Sequence, residues 1–351
     1  VNGDGNVELY TVNEYFRLRY NDEVVMLLDF ERTTNEIFNP DNGVLTENGI
    51  DLGITDSNIS FISDSSCRYF AFVQGGELWS YSMDSGKMAK VFTFRQKENS
   101  DYRDIYGAHE IKVLRVSENG NISFMVAGYM NRGHHEGESG VALYQYDASN
   151  GGITELLFAD TNRSFDLLRE DVEELAFITD DLQTFSMLLD GDVYKIDLTT
   201  LEMTKKIEGI KKGCSAGSVS GRRFAYLKEN LPFDSRNIVI TDMNTGAVTE
   251  VGCAENERIR MIGYINESLV YGVADIADID ASHEGDELFP MKTLYILNED
   301  QEVVKEYSDS DSGYYVLDGT ITDRLLTMQR IRKDGSDWYE AAEDHIIDNT
   351  A

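Results

Sequence analysis

Six stretches of this chain share one layout, and that recurrence constrains the fold more than any other feature. Each holds a short apolar run with an aromatic residue, an acidic or amide residue, a tight turn and a second β-rich run. They begin at Val24 (VVMLLDFERTTNEIF), Leu78 (LWSYSMDSGKMAKVF), Leu143 (LYQYDASNGGITELLF), Val193 (VYKIDLTTLEMTKKI), Ile238 (IVITDMNTGAVTEV) and Leu294 (LYILNEDQEVVKEY). Their spacing of roughly 45–65 residues is that of supersecondary units that stack side by side, because one unit cannot cover its own apolar surface.

Upstream of the hairpins lie further strand pairs around polar turns. Examples are FISDSSCRYFAF from Phe61, VSENGNISF from Val116, FITDDLQTF from Phe177 and GSVSGRRFAY from Gly217. One unit therefore reads strand A, turn, strand B, loop, strand C, turn, strand D. Four antiparallel strands per unit is the make-up of a β-propeller blade. Units are expected at about 7–38, 59–96, 109–158, 174–208, 214–251 and 259–307. A seventh follows, with strands at 314–317, 324–331 and 338–347 and no fourth. The run Asn6 to Val12 is a candidate to supply that strand from the other end of the chain. Only 164–175 suggests a helix, and it is short and acidic. The expectation is an all-β single domain over 1–351, a β-propeller of seven blades with six or eight as alternatives, and four antiparallel strands per blade.

Composition narrows the function classes. At 351 residues the chain can bury a large core, and its net charge is −33. Such a surface repels phosphate backbones and anionic lipid, which argues against nucleic acid as a partner and against direct membrane insertion. No apolar run approaches the roughly 18 residues of a membrane span. Cys67, Cys214 and Cys253 lack metal-ligand spacing and are odd in number, so neither a disulfide scaffold nor a cysteine metal site is expected. The polar start at Val1, before an Asn2-Gly-Asp4-Gly hairpin turn, reads as part of a longer protein from which this domain is excised.

The A–B turns resemble the S-x-D-G-x-x-[hydrophobic]-[AS]-[FY] repeat of TolB-type and WD40-like bacterial propellers. Ser63-Asp64 leading to Phe70-Ala71-Phe72, and Ser117-Glu118-Asn119-Gly120 leading to Ile122-Ser123-Phe124, carry the likeness. The proline common in that turn is absent from both, and the WD dipeptide is missing. The resemblance implies the architecture and, at most, a scaffold or sensor role.

Loop lengths supply the functional clue. The A–B and C–D turns are short throughout. The long connections are D–A (40–58 and 96–110) and B–C (129–140, 229–236, 274–292 and 332–337), which share one end of a four-stranded meander. Long loops gathered on a rigid face build binding surfaces. Tyr102, Tyr106, Tyr129, Phe233, Phe289 and Trp338, with Arg103, Arg132 and Arg236, have the composition of a protein- or glycan-binding surface, although such aromatics also pin loops to their sheets. Two loops are alike: RGHHEGE from Arg132 and SHEGDE from Ser282 hold three of the five histidines. Imidazole with carboxylates suits zinc, and oxygen-rich loops suit calcium. His135, Glu136, His283 and Glu284 are therefore candidate ligands of a divalent metal, the competing reading being solvated loop tips.

No G-x-S-x-G elbow, phosphate loop or dinucleotide fingerprint occurs. The expected function is a non-enzymatic binding, scaffold or sensor propeller of a larger bacterial cell-envelope protein. It would recognise a protein or glycan outside the cytoplasm, with a cytoplasmic location left open. The alternative is a carboxylate- or metal-dependent hydrolase working in a central funnel.

Overall fold

The computed structural model describes residues 8–21, 24–46, 49–52, 61–96, 101–281 and 287–348. The chain divides into two compact units, Val1–Phe165 and Asp166–Ala351. The first begins with a ribbon of two long antiparallel strands, β1 (Tyr10–Tyr20) and β2 (Val25–Glu36). This corrects the four-stranded unit expected over 7–38. The Asp29-Phe-Glu-Arg32 stretch has no residue at positive φ to reverse the chain, so β2 runs straight through it. Tyr10 to Val12 pair with Thr34 to Glu36 inside the ribbon and so do not complete the last sheet. The Asn2-Gly-Asp4-Gly turn lies outside the described residues.

After a 3-10 turn and the short hairpin β3 (Leu45–Thr46) and β4 (Gly49–Ile50), two four-stranded antiparallel sheets follow. One contains β5 (Phe61–Ser63), β6 (Tyr69–Gln74), β7 (Glu77–Ser82) and β8 (Lys87–Phe92). The next contains β9 (His109–Val116), β10 (Ile122–Tyr129), β11 (Ser139–Asp147) and β12 (Gly152–Asp160).

The second unit starts on the 164–175 stretch, which forms the one α-helix among the described residues, α1 (Phe165–Glu174). Leu168 and Val172, four apart, are buried on one face. Its end lies against the strand holding Gly217, where a Cβ would stand 1.6 Å from the Glu174 carbonyl oxygen. Three more four-stranded sheets follow in chain order. The first is β13 (Ala176–Ile178), β14 (Thr184–Leu189), β15 (Asp192–Asp197) and β16 (Met203–Ile207). The second is β17 (Ser215–Gly217), β18 (Arg223–Leu227), β19 (Asn237–Asp242) and β20 (Val248–Gly252). The third is β21 (Glu257–Ile265), β22 (Ser268–Asp275), β23 (Thr293–Leu297) and β24 (Val303–Tyr307).

The last sheet has β25 (Tyr314–Thr322), β26 (Leu325–Asp334), β27 (Asp337–Glu340) and β28 (Asp344–Ile347). The strand expected over 338–347 is two short pieces, and both pair with β26. The 332–337 loop is corrected to a tight hairpin, because β26 extends to Asp334 and Gly335 takes the turn at φ 63°.

Burial follows position in the sheet. The second strands β10, β14 and β22 are apolar runs buried on both faces, whereas fourth strands such as β16 (MTKKI) are exposed. Sheets within a unit pack face to face. Leu78 and Val91 join Ile122 and Phe124 in the first unit. In the second, Val193 meets Phe224, Ile238 meets Tyr271, and Leu294 meets Leu326. Each such side chain contributes about 1.5–3 kcal/mol when fully buried.

The turns explain the polar signature. Asp64, Ser117, Thr179 and Ser218 end the first strands, and their amides bond the carbonyls of Tyr69, Asn121, Thr184 and Arg223. Asp64 Oδ1 also accepts the Arg68 and Tyr69 amides at 2.7 Å each. Burial alone would raise its pKa, but the Ser66 hydroxyl and the Tyr69, Arg68 and Ser66 amides hold it down at about 2. At the C–D turns, Asp147, Asp197 and Asp242 accept the amides of Ser149, Thr199 and Asn244 at 2.8–2.9 Å. Bonds from Ser149 lower the Asp147 pKa, and the Thr200 and Thr199 amides lower that of Asp197.

Two outcomes are expected. Carboxylates with depressed folded pKa values stabilise the fold above the ordinary value of 3.8 and lose that contribution as pH falls through their lowered values. Urea unfolding midpoints should therefore drop as pH falls from 4 through about 2, the lowered value of Asp64. The fourth residue of these four A–B turns is left-handed: Cys67 at φ 53°, Gly120 at 81°, Leu182 at 58° and Gly221 at 73°. Leu182→Gly should stabilise the protein by about 1 kcal/mol. Gly120→Ala should destabilise it by about 1–2 kcal/mol, since the new Cβ would also sit 2.9 Å from the Tyr69 ring.

Candidate binding surface

In a four-stranded meander, the connection entering the first strand and the loop joining the second to the third share one end. In the sheet β9–β12 these are residues 93–108 and 130–138, and the structure locks them together. Asp101 caps a 3-10 turn, Tyr102–Asp104, by accepting the Arg103 amide at 2.9 Å. The Arg103 guanidinium lies between Asp101, 3.0 Å from Nε, and Glu136 of the other loop, 2.6 Å from Nη1. Arg132 returns the contact, donating from Nε to Asp104 at 2.8 Å and from Nη2 to Asp101 at 2.9 Å. The buried Asn131 amide donates to the Tyr106 carbonyl at 2.8 Å. Hydrogen bonds from Arg103 hold the Asp101 carboxyl far below the carboxylate range, and Asp101 and Glu136 raise the Arg103 pKa in turn. Two arginines thus bridge three carboxylates in a chain otherwise crowded with negative charge.

Aromatic residues line the same end. Tyr102 is 71% exposed and leans on Tyr106, which meets the edge of Tyr129 at 5.2 Å. The His135 ring stacks on Phe158 at 3.7 Å. Its Nδ1 lies 2.9 Å from Glu138 and its Nε2 2.9 Å from Glu155. Burial lowers the His135 pKa, but hydrogen bonds to Glu155 and Glu138 outweigh it and the net shift is upward. Both nitrogens can donate only in the imidazolium form, so geometry and charge agree. Exposed His134 stands between two open clefts. One, of about 630 Å³, is lined by Glu138, Phe158, Asp160 and Arg163. The other, of about 380 Å³, is lined by Phe94, Met130, Tyr144 and Glu155.

Tyr102, Arg103, Tyr129, Arg132, His135 and Glu136 are therefore brought together. Asp101, Asp104, His134, Glu138, Glu155 and Phe158 join them without having been singled out from sequence. The acidic residues flanking Arg103 at 101 and 104 were a usable signal. Glu155 and Phe158 lie on β12, and only the strand register brings them beneath the loop.

The other candidates lie in the second unit. Phe289 is corrected: it is fully buried, packs against Phe233 with centroids 6.3 Å apart, and anchors its loop from inside the core. Trp338 is half-buried on the β26–β27 hairpin, edge-on to Tyr315 and under the Lys333 ammonium. Arg236 is exposed. His283 and Glu284 lie outside the described residues.

The metal expectation finds little support at its described half. Glu136 is turned to Arg103, and both nitrogens of His135 face carboxylates. No group of three or more His, Cys, Asp or Glu side chains among the described residues has metal-holding geometry. In the acidic 274–292 loop, Asp275 pairs with Lys292 at 2.8 Å and Asp278 with Lys333.

No family model matches this chain, and no curated protein matches its sequence. Among solved structures it is similar to Porphyromonas gingivalis dipeptidyl peptidase 4, at 12% identity and TM-score 0.42. That match covers 86% of this chain and 47% of the other, so the chain spans about half that protein's length. It is also similar to the β-propeller domain of the Trilobed protease from Pyrococcus furiosus, at 10% identity and TM-score 0.39, covering 94% and 93% of the two chains. A third is the putative TolB from Agrobacterium tumefaciens, at 14% identity and TM-score 0.33, covering 71% and 81%. The repeated four-stranded sheets and their Ser/Asp turns are what the likeness to TolB-type repeats implies at the level of architecture.

No described helix is long and apolar enough to cross a membrane.

Arg132 is 10% exposed and the Asp104 carboxylate 3%. Removing one partner of such a pair leaves a buried charge uncompensated, so Arg132→Ala should cost about 2–4 kcal/mol in denaturant unfolding. A raised His135 pKa means its stabilisation is full below pH 6.5 and is lost as pH rises through the folded value. NMR titration of the His135 ring should show an apparent pKa above 6.5, and Glu155→Gln should lower it.

Proposed function

We propose that this chain is a non-enzymatic binding or scaffold domain of the β-propeller type, its sheets serving as blades, within a larger bacterial cell-envelope protein. It recognises a protein or glycan outside the cytoplasm through the long-loop end. The observation that carries this reading is the pair of loops at 101–106 and 130–138. Their arginines and carboxylates fix each other, Tyr102 is exposed, and exposed His134 lines two open clefts. Rigid aromatic residues with little entropy left to lose are the groups that dominate recognition energies.

Glycan arrays and displayed peptide libraries should select ligands for the purified chain. Tyr102→Ala and His134→Ala should each weaken a selected ligand by about tenfold or more. Val219→Ala, at an exposed A–B turn, should leave it unchanged. Ligands indifferent to both loop variants would contradict the proposal.

A further inference from the structure

The ribbon β1–β2 has two unlike faces. Cross-strand partners share a face, so the pairs Phe16 with Phe30, Leu18 with Leu27 and Tyr20 with Val25 stand together on one side. The bulge beside Leu18 leaves Leu28 unpaired among them. On the other side stand Asn13 with Thr33, Tyr15 with Glu31 and Arg17 with Asp29. Such alternation is the pattern of a strand pair covered on one face. Among the described residues nothing covers it: these apolar residues are 43–71% exposed. A two-stranded ribbon without a packed face is marginal on its own.

We propose that this face is the interface for a second copy of the chain, two ribbons packing face to face about a two-fold axis that crosses the strands at Leu18 and Leu27. Leu18 then meets the partner's Leu18, Leu27 the partner's Leu27, and Phe16 the partner's Tyr20. Three features of the ribbon favour this occupant.

The first is area. Seven apolar side chains at roughly 100 Å² each expose on the order of 700 Å² per copy, close to the ~800 Å² per partner of a standard stable interface. The second is the placement of charge. The ion pair of Glu14 and Arg32, with Arg32 Nε donating at 2.8 Å, lies on the same face one rung beyond Phe16. In the two-fold arrangement it falls at the rim, where a polar pair belongs, and it is neutral as a pair. The third is distance. The chain carries −33 overall, and two copies repel. Antiparallel overlap near the ribbon tips leaves about eight residues of each ribbon, roughly 27 Å, between the axis and its base. That exceeds the ~8 Å screening length at physiological salt, so charge at the ribbon base of one copy is screened from the axis.

Sedimentation equilibrium of the purified chain across micromolar concentrations tests the proposal. A reversible dimer is expected. Leu18→Asp or Leu18→Lys alone should weaken it at least about 100-fold, because like charges would meet across the axis. Mixing the two variant proteins should restore a one-to-one heterodimer. Tyr15→Ala, on the polar face, should leave the dimer unchanged, and far-ultraviolet circular dichroism should match wild type in all three. A wild-type monomer would overturn the proposal, whether the ribbon then proves protected within its own chain or binds phosphatidylcholine vesicles. So would a dimer insensitive to both Leu18 variants, or a mixture that fails to pair.

Discussion

Burial of inner strands such as β10, β14 and β22 on both faces is the constraint that organises this molecule. Strands such as β10 and β22 carry apolar side chains up and down, so a single sheet cannot satisfy them. Another layer must cover each face. Within each compact unit the next sheet in the chain supplies one, and the core clusters each draw on two consecutive sheets. The outer strands then face solvent and are free to vary, which is where the chain places MTKKI and VVKEY. The short turns, the exposed edges and the loops all hang on that arrangement.

Much of this was readable from the residues. The run-turn-run layout marks β7–β8, β11–β12, β15–β16, β19–β20 and β23–β24 where they form, because a polar side chain after the apolar run caps the turn, an aspartate or asparagine in the last four and Ser82 in the first. The same layout misled at Val24. There Asp29 stands after an apolar run, but no residue after it in the strand takes a positive φ, and the strand continues. Turn chemistry, rather than periodicity, separates the two cases. The helix α1 was visible as a candidate and too short to rank above the strands around it. Its tight approach to Gly217 belongs to tertiary packing and has no local signature.

The candidate surface was legible in part for a similar reason. Loop residues such as Tyr102, Arg103, Arg132 and His135 stood out by composition. Their partners Glu155 and Phe158 lie on a strand, where an alternating pattern gives no hint of which residue lies under a loop some twenty positions away. Phe289 had the composition of a surface aromatic and the position of a core one, since its loop folds back onto the sheet it leaves.

What the loop pair offers a ligand is order. Asp101, Asp104 and Glu136 would repel one another in an acidic chain; with Arg103 and Arg132 among them they become a cross-linked patch. The central claim is that these two loops form a single rigid surface with the sheet beneath them. Hydrogen–deuterium exchange read peptide by peptide tests it most directly. The account predicts that amides at 101–106 and 130–138 exchange slowly and open together, at rates approaching those of β9–β12. Fast exchange of either loop, independent of the other and of the sheet, would contradict it.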